Sequence, residues 1–229
     1  MGDPRLHAHV PSDSGTVVSL NVGLPRAIQR GDHTETTGIW KTPVHGRVRA
    51  EGVNLAGDEQ ADLSVHGGYD KAIYAYAAED IAWWEAELGR EIGPAVFGEN
   101  LTVEGLDLSA ALVGERWRVG TAELEVSEPR LACWKLGVRI DDPTVPAAFN
   151  RAGRTGTYLR IVGAGEIETG DTVQVLSRPA HGVTIDAIWH AYSKRGDPTA
   201  LLAAPELGDS WREWALDRLS RDGGGPRSA

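Results

Sequence analysis

The chain has 229 residues, 41% hydrophobic and 24% charged, with a formal net charge of −10. That length supports one large domain, or one domain with a small appendage, and a core that needs neither disulfides nor structural metal. One cysteine excludes an intrachain disulfide and fits a reducing, cytoplasmic setting. The acidic balance argues against generic binding to nucleic acid or to an anionic membrane surface, and no run is long enough for a transmembrane helix.

Residues 1–15 read as a disordered polar tail, not a secretory signal. From Val17 onward, short apolar runs alternate with Gly and Asp. Val17 to Gly23, Leu101 to Val103, Arg116 to Val119, Leu124 to Val126, Thr157 to Val162 and Thr172 to Leu176 read as strands. Gly120-Thr121 between the third and fourth of these suggests a hairpin. Many short strands with this punctuation predict a mainly β barrel or sandwich over 16–179. One helix is predicted over Glu79–Leu88, with Ile81, Trp84 and Leu88 on one face and Gly89 as its stop. A weaker one is predicted near Val145–Asn150.

The period changes after Pro179. Ile185, Ile188, Trp189 and Tyr192 recur at helical spacing, Asp197-Pro198 opens a second helix, and Ser210-Trp211-Arg212-Glu213 reads as a capping box for a third. A three-helix unit is therefore expected over 180–220, followed by a disordered tail over 221–229. A unit this small is marginal alone, so it should pack on the barrel.

Four stretches carry candidate chemistry. In His66-Gly67-Gly68-Tyr69-Asp70-Lys71, the glycines allow close backbone approach, Lys71 supplies charge, and His66 donates or accepts. The alternative is a solvated surface turn. In Pro129-Arg130-Leu131-Ala132-Cys133-Trp134-Lys135, with Arg139 beyond it, an extended chain places Cys133, Lys135 and Arg139 on one face. Neighbouring cations favour thiolate, which is both nucleophile and soft-metal ligand; the alternative is a buried structural cysteine. Asn100, after Phe97-Gly98-Glu99, binds a polar ligand or caps a turn. Arg154, between Gly153 and Gly156, meets a phosphate or sits in a hairpin. Zinc spacings, the P-loop, GxGxxG and GxSxG are all absent.

Taken in order, Gly38-Ile39-Trp40-Lys41-Thr42-Pro43-Val44, Gly57-Asp58 with Gln60-Ala61-Asp62, His66-Gly67-Gly68 with Asp70-Lys71-Ala72, Phe97-Gly98-Glu99-Asn100-Leu101, and Pro129-Arg130 with Cys133 and Lys135 resemble the MOSC domain. This is the C-terminal module of molybdenum-cofactor sulfurases, and the sequence looks like its bacterial YiiM-like branch. The combination of His-Gly-Gly-x-Asp-Lys-Ala with Pro-Arg-x-x-Cys is far more specific than either alone, and the resemblance runs over most of the chain. It departs at Thr157, where the branch is expected to carry tryptophan.

The resemblance implies a β-barrel with peripheral helices and a small C-terminal helical unit. It implies a molybdopterin-type molybdenum cofactor, and gives no reason to expect pyridoxal phosphate. Cys133 is then the metal ligand and a catalytic residue, with His66 and Asp70 as proton carriers. Lys71, Asn100, Arg130, Arg154, Gly67 and Gly68 are then cofactor-binding. The activity implied is reduction of small N-hydroxylated compounds such as 6-hydroxylaminopurine, fed by a separate electron-donor protein. The rivals are a sulfur or cofactor carrier that uses Cys133 without redox turnover, and a binding module with a structural cysteine. A homodimer is an expectation with no motif behind it.

Overall fold

The computed structural model describes residues 12–61, 67–193 and 196–223. Seven strands close into a barrel: β1 (Ser14–Val22), β7 (Ile73–Ala77), β8 (Leu101–Glu104), β9 (Arg116–Val119), β10 (Ala122–Pro129), β11 (Thr157–Gly163) and β13 (Thr172–Ser177). The order is β13-β9-β10-β11-β7-β8-β1, and β1 returns to β13. Minor strands decorate it: β2 (Arg26–Arg30) with β3 (His33–Thr37), β4 (Thr42–Pro43) on β1, and β5 (Val48–Glu51) between β6 (Asn54–Leu55) and β12 (Gly165–Ile167).

All the barrel pairings are antiparallel except β7–β8. A parallel pair needs a long crossover, and α1 (Ala78–Leu88) lies within it. Gly89 ends that helix in the left-handed conformation, its N–H bonded to the Glu85 carbonyl.

β7 shows how the sequence builds two cores. Ile73, Ala75 and Ala77 face the barrel interior with Leu20, Val103, Trp117, Leu124 and Val126. Tyr74 and Tyr76 face outward into a second cluster with Trp84, Phe97, Leu136 and Phe149. The strand is buried on both faces, so its apolar run does not alternate with polar residues. The second core lies under α1, α2 (Trp134–Ile140) and α3 (Val145–Ala152).

The C-terminal elements are α4 (Ile185–Tyr192), a 3-10 helix over Pro198–Ala203, and α5 (Asp209–Gly223). Val183, Ile185, Ile188, Leu201, Leu207 and Trp211 belong to the same apolar cluster as the barrel interior. Thr184 caps α4 by accepting from the Ala187 N–H at 3.0 Å, and Asp197 accepts from the Thr199 N–H at 2.8 Å. The expected capping box is displaced: α5 begins at Asp209, so Ser210 lies inside the helix. The alternation of Cys133, Lys135 and Arg139 is conditional on an extended chain, and that condition is not met. The segment after Cys133 is helical, not extended, so Lys135 and Arg139 share a face through i,i+4 spacing.

Candidate functional site

A cleft of about 750 Å³, open mouth included, lies between the barrel's outer face and the β2–β3 side of the molecule. Lys71, Asn100, Arg130 and Cys133 converge on it, although 62 positions separate the first from the last. Lys41, Asp58, Lys135, Tyr74 and Tyr158 complete the walls that matter chemically.

Cys133 is half-buried and in no disulfide. It follows the end of β10 and immediately precedes α2, with extended backbone angles of φ −109° and ψ 176°. Asn150 of α3 clamps the residue before it: the Ala132 N–H donates to Oδ1 at 2.8 Å, and Nδ2 donates to the Ala132 carbonyl at 2.9 Å. Arg130 is buried with its guanidinium 4.9 Å from the Tyr74 ring centre, and it donates to the Phe97 carbonyl. Burial opposes the Arg130 charge, but Tyr74, Tyr158 and Cys133 outweigh it and hold its pKa up. A permanent cation thus stands in electrostatic contact with the thiol.

Lys41 and Asp58 form a buried ion pair, with Nζ 2.6 Å from Oδ2. Burial pulls the Lys41 ammonium below its ordinary value, against the pull of Asp58. Asp58 also accepts from the Gly23 N–H at 2.8 Å and from Asn100 Nδ2 at 2.9 Å. Asn100 is fully used: Oδ1 accepts from the Tyr74 N–H, and Nδ2 also reaches the Asn21 carbonyl. Asn100 therefore orders the cleft wall by tying β7, β1 and the Asp58 loop together. Lys135 leans from α2 toward β3, 3.2 Å from the Thr36 carbonyl and 3.5 Å from Glu35 Oε2. Lys71 bridges to Glu128 Oε1 at 3.4 Å.

Other predicted residues lie elsewhere. Asp70 accepts from Arg160 Nε at 2.6 Å and is absent from the cleft lining; Arg160 also donates to Glu125 and to the Glu206 carbonyl. That network ties the 3-10 turn over Tyr69–Lys71 to the barrel and the C-terminal unit. Arg154 is also absent from the lining. It pairs with Asp80 and lies 4.6 Å from the Trp83 ring centre, locking α1 in place. Gly68 has φ +92°, and its N–H donates to Gln60 Oε1 at 2.7 Å rather than into the cleft. Gly67 does not line the cleft. His66 and Asp62 fall outside the described residues.

Sequence reasoning assigned no role to Lys41 or Asp58, although both stand in the quoted motifs. Nothing in their spacing, 17 positions apart, announces an ion pair. Tyr74 and Tyr158 were hidden inside strands, where aromatics read as core.

The fold and this cleft define a β-barrel protein with one accessible thiol on a cation-rich wall. The MOSC domain model matches residues 62–174. The chain is 34% identical to YflK of Bacillus subtilis (strain 168), over 90% of this chain and 95% of that one. The crystal structure of YiiM from Geobacillus stearothermophilus superposes with a TM-score of 0.74 at 33% identity, covering 90% of this chain and 99% of that one. A protein named reductase from Gibberella moniliformis (strain M3125 / FGSC 7600) is 34% identical over 63% of this chain, which spans 26% of its length. The chain belongs to the MOSC domain family, in its YiiM-like branch. Among the described residues no helix is long and apolar enough to cross a membrane.

Proposed function

We propose that this protein is a cytoplasmic molybdenum-cofactor-dependent reductase of small N-hydroxylated compounds, 6-hydroxylaminopurine among them. The observation that carries the reading is the half-buried Cys133 thiol on a cleft wall shared with Arg130, Lys71 and Lys135.

The donor set fits the cofactor. Among the described residues no group of three or more His, Cys, Asp or Glu could hold a metal ion. One protein thiol suits a metal that arrives with most of its ligands already attached, and thiolate is the soft donor molybdenum favours. Cys133 would hold the metal, while Lys71, Arg130 and Lys135 would face the anionic tail of the pterin. When bound, the cofactor supplies a metal centre that exchanges two electrons and accepts oxygen.

The net reaction consumes two electrons and two protons: R–NHOH becomes R–NH2 and water as the N–O bond breaks. The electrons come from a separate donor protein, since no flavin or iron–sulfur signature stands in this chain. The chain's own residues bind and orient. Arg130 holds the thiol's surroundings positive, Asn100 fixes the Lys41–Asp58 pair, and Asn150 fixes the backbone that carries Cys133. The reductase name of the Gibberella moniliformis relative supports the reaction class.

The test is purification from a host that makes the cofactor, followed by measurement of bound molybdenum and of 6-hydroxylaminopurine reduction with a supplied electron donor. Stoichiometric metal with turnover upholds the proposal. A persulfide on Cys133 with no turnover would replace it with the carrier reading.

A further inference from the structure

The segment that carries Cys133 is gripped from outside the cleft. It runs from the end of β10 into α2, and two neighbouring residues of α3 hold it at two points. Phe149 has its ring centre 5.7 Å from the Arg130 guanidinium. Asn150 makes two hydrogen bonds to the backbone of Ala132, at 2.8 and 2.9 Å. The thiol therefore stands where α3 stands. α3 has eight residues, and a helix that short takes its position from tertiary contacts rather than from its own stability.

One of those contacts comes from the C-terminal unit. Trp189 Nε1 of α4 donates to the Asn150 carbonyl at 2.9 Å, across 39 positions. That carbonyl belongs to the last turn of α3, where a helix has no N–H of its own left to offer. Gly153 ends the helix at φ +69°, and a Cβ there would lie 2.9 Å from the indole, so the ring sits flush against the helix terminus. Trp189 is 4% exposed, so the bond is shielded and solvent does not make good its loss.

α4 is fixed in its turn. The Ile185 and Asp186 N–H groups donate to the Ala111 and Ser109 carbonyls, each at 3.0 Å, and Ile185 and Ile188 are buried in the core shared with the barrel. Resting on the reading that Cys133 is the working thiol, we propose that Trp189 is a positioning residue: through Asn150 it sets where Cys133 stands in the cleft. The C-terminal unit then belongs to the thiol site, although none of its residues lines the cleft. An indole that only filled space against Gly153 would need no N–H, and the two roles differ in what they do to Ala132 and Cys133.

Trp189→Phe keeps a ring against Gly153 and removes the N–H. Asn150→Leu removes the grip on Ala132 and sets the scale. Ile188→Val lowers stability from the same helix without touching this chain of contacts, and is the control. All are made in the full-length protein without cofactor, and two quantities are read well below the melting temperature. The first is hydrogen exchange of the Ala132 amide, followed by NMR. The second is the rate of alkylation of Cys133, the chain's one thiol, by iodoacetamide relative to its bulkier N-phenyl derivative. The two reagents share a reacting group, so the ratio cancels the thiolate fraction and reads access alone. Trp189→Phe and Asn150→Leu should speed Ala132 exchange by about fivefold or more, the scale of one lost hydrogen bond, and lower the discrimination against the bulky reagent by about twofold or more. Ile188→Val should leave both at wild-type values. Gly153→Ala crowds the same indole from the helix side and serves the same comparison if Trp189→Phe does not fold. Wild-type values in folded Trp189→Phe would overturn the proposal, as would equal changes in Trp189→Phe and Ile188→Val, which mark a loss of stability alone. Neither quantity needs the metal, so the expected pattern in a protein that acquires no molybdenum upholds the positioning role and sinks only the reductase reading. An active, loaded enzyme whose Trp189→Phe variant changes neither quantity does the reverse.

Discussion

Cys133→Ser tests whether the thiol anchors a metal, as proposed, or only packs. The side chain is half-buried and the exchange removes little apolar surface, so the melting temperature should stay within about 2–4 °C, the shift that ~1 kcal/mol produces in a domain of this size. Under the proposed function, molybdenum content and turnover should be lost together, a result checked by metal analysis and an activity assay on one preparation. Lys41→Met has the opposite profile. It leaves Asp58, 5% exposed, as a buried charge without its counter-ion, and should cost about 3–5 kcal/mol in denaturant unfolding. Adding Asp58→Leu should restore part of that loss, because the stranded charge then goes too. Glu99 supplies a pH signature. It is fully buried; Oε1 accepts from the Ala95 N–H and Thr102, while Oε2 is unsatisfied. Burial raises its pKa above the ordinary carboxylate value of 4.5. A raised folded-state value means that its contribution is fully present below 4.5 and is lost as pH rises through the folded value. The stability of wild type relative to Glu99→Gln should therefore fall between pH 4.5 and neutrality. A flat difference across that range would show that burial does not raise the Glu99 carboxyl above its unfolded value.

Elements with a clear period were legible, and those held by tertiary contacts were not. β9 coincides with the predicted Arg116–Val119, and α1 starts one residue before the predicted Glu79. β7 was missed because Ile73-Tyr74-Ala75-Tyr76-Ala77 is apolar on both faces and shows no alternation. β2 and β3 were missed for the opposite reason: they form a polar, largely exposed ribbon with no hydrophobic face to read. α2 was not predicted, since seven residues are too few to display helical periodicity. Site residues followed the same division. The Lys71, Arg130 and Cys133 cluster was legible as cations near a thiol. The fate of Asp70 and Arg154 was not, because each is claimed by a partner far off in sequence: Arg160 and Asp80. The C-terminal helices were legible individually, and their shared core with the barrel predicts what they do. Ending the chain after Ser177 removes Ile185, Ile188, Leu201 and Trp211 from that core. The truncated protein should melt at least ~10 °C lower or aggregate on expression, since several buried side chains at about 1.5–3 kcal/mol each are lost. An unchanged melting curve would mean that the barrel folds alone.

The acidic chain carries its basic side chains where its geometry needs them, so the net charge of −10 says little about the cleft. Closure of the sheet has a further consequence. β1 meets β13 through only three residue pairs, Ser14 with Gln174, Gly15 with Val173 and Thr16 with Thr172. Arg178 clasps the same seam, reaching Asp13, the Ser12 carbonyl and buried Glu115 Oε2 at 3.2 Å. A closed ring offers no unpaired strand to a neighbouring molecule; a ring opened at one seam offers two. Parting here would turn each copy into a template for another copy's β-strand while most of the core stays intact. Arg178→Ala should therefore shift the melting temperature by only a few degrees yet accelerate self-association well below it, visible as rising light scattering on incubation. The seam makes colloidal lifetime, rather than folding equilibrium, the property most sensitive to a single surface arginine.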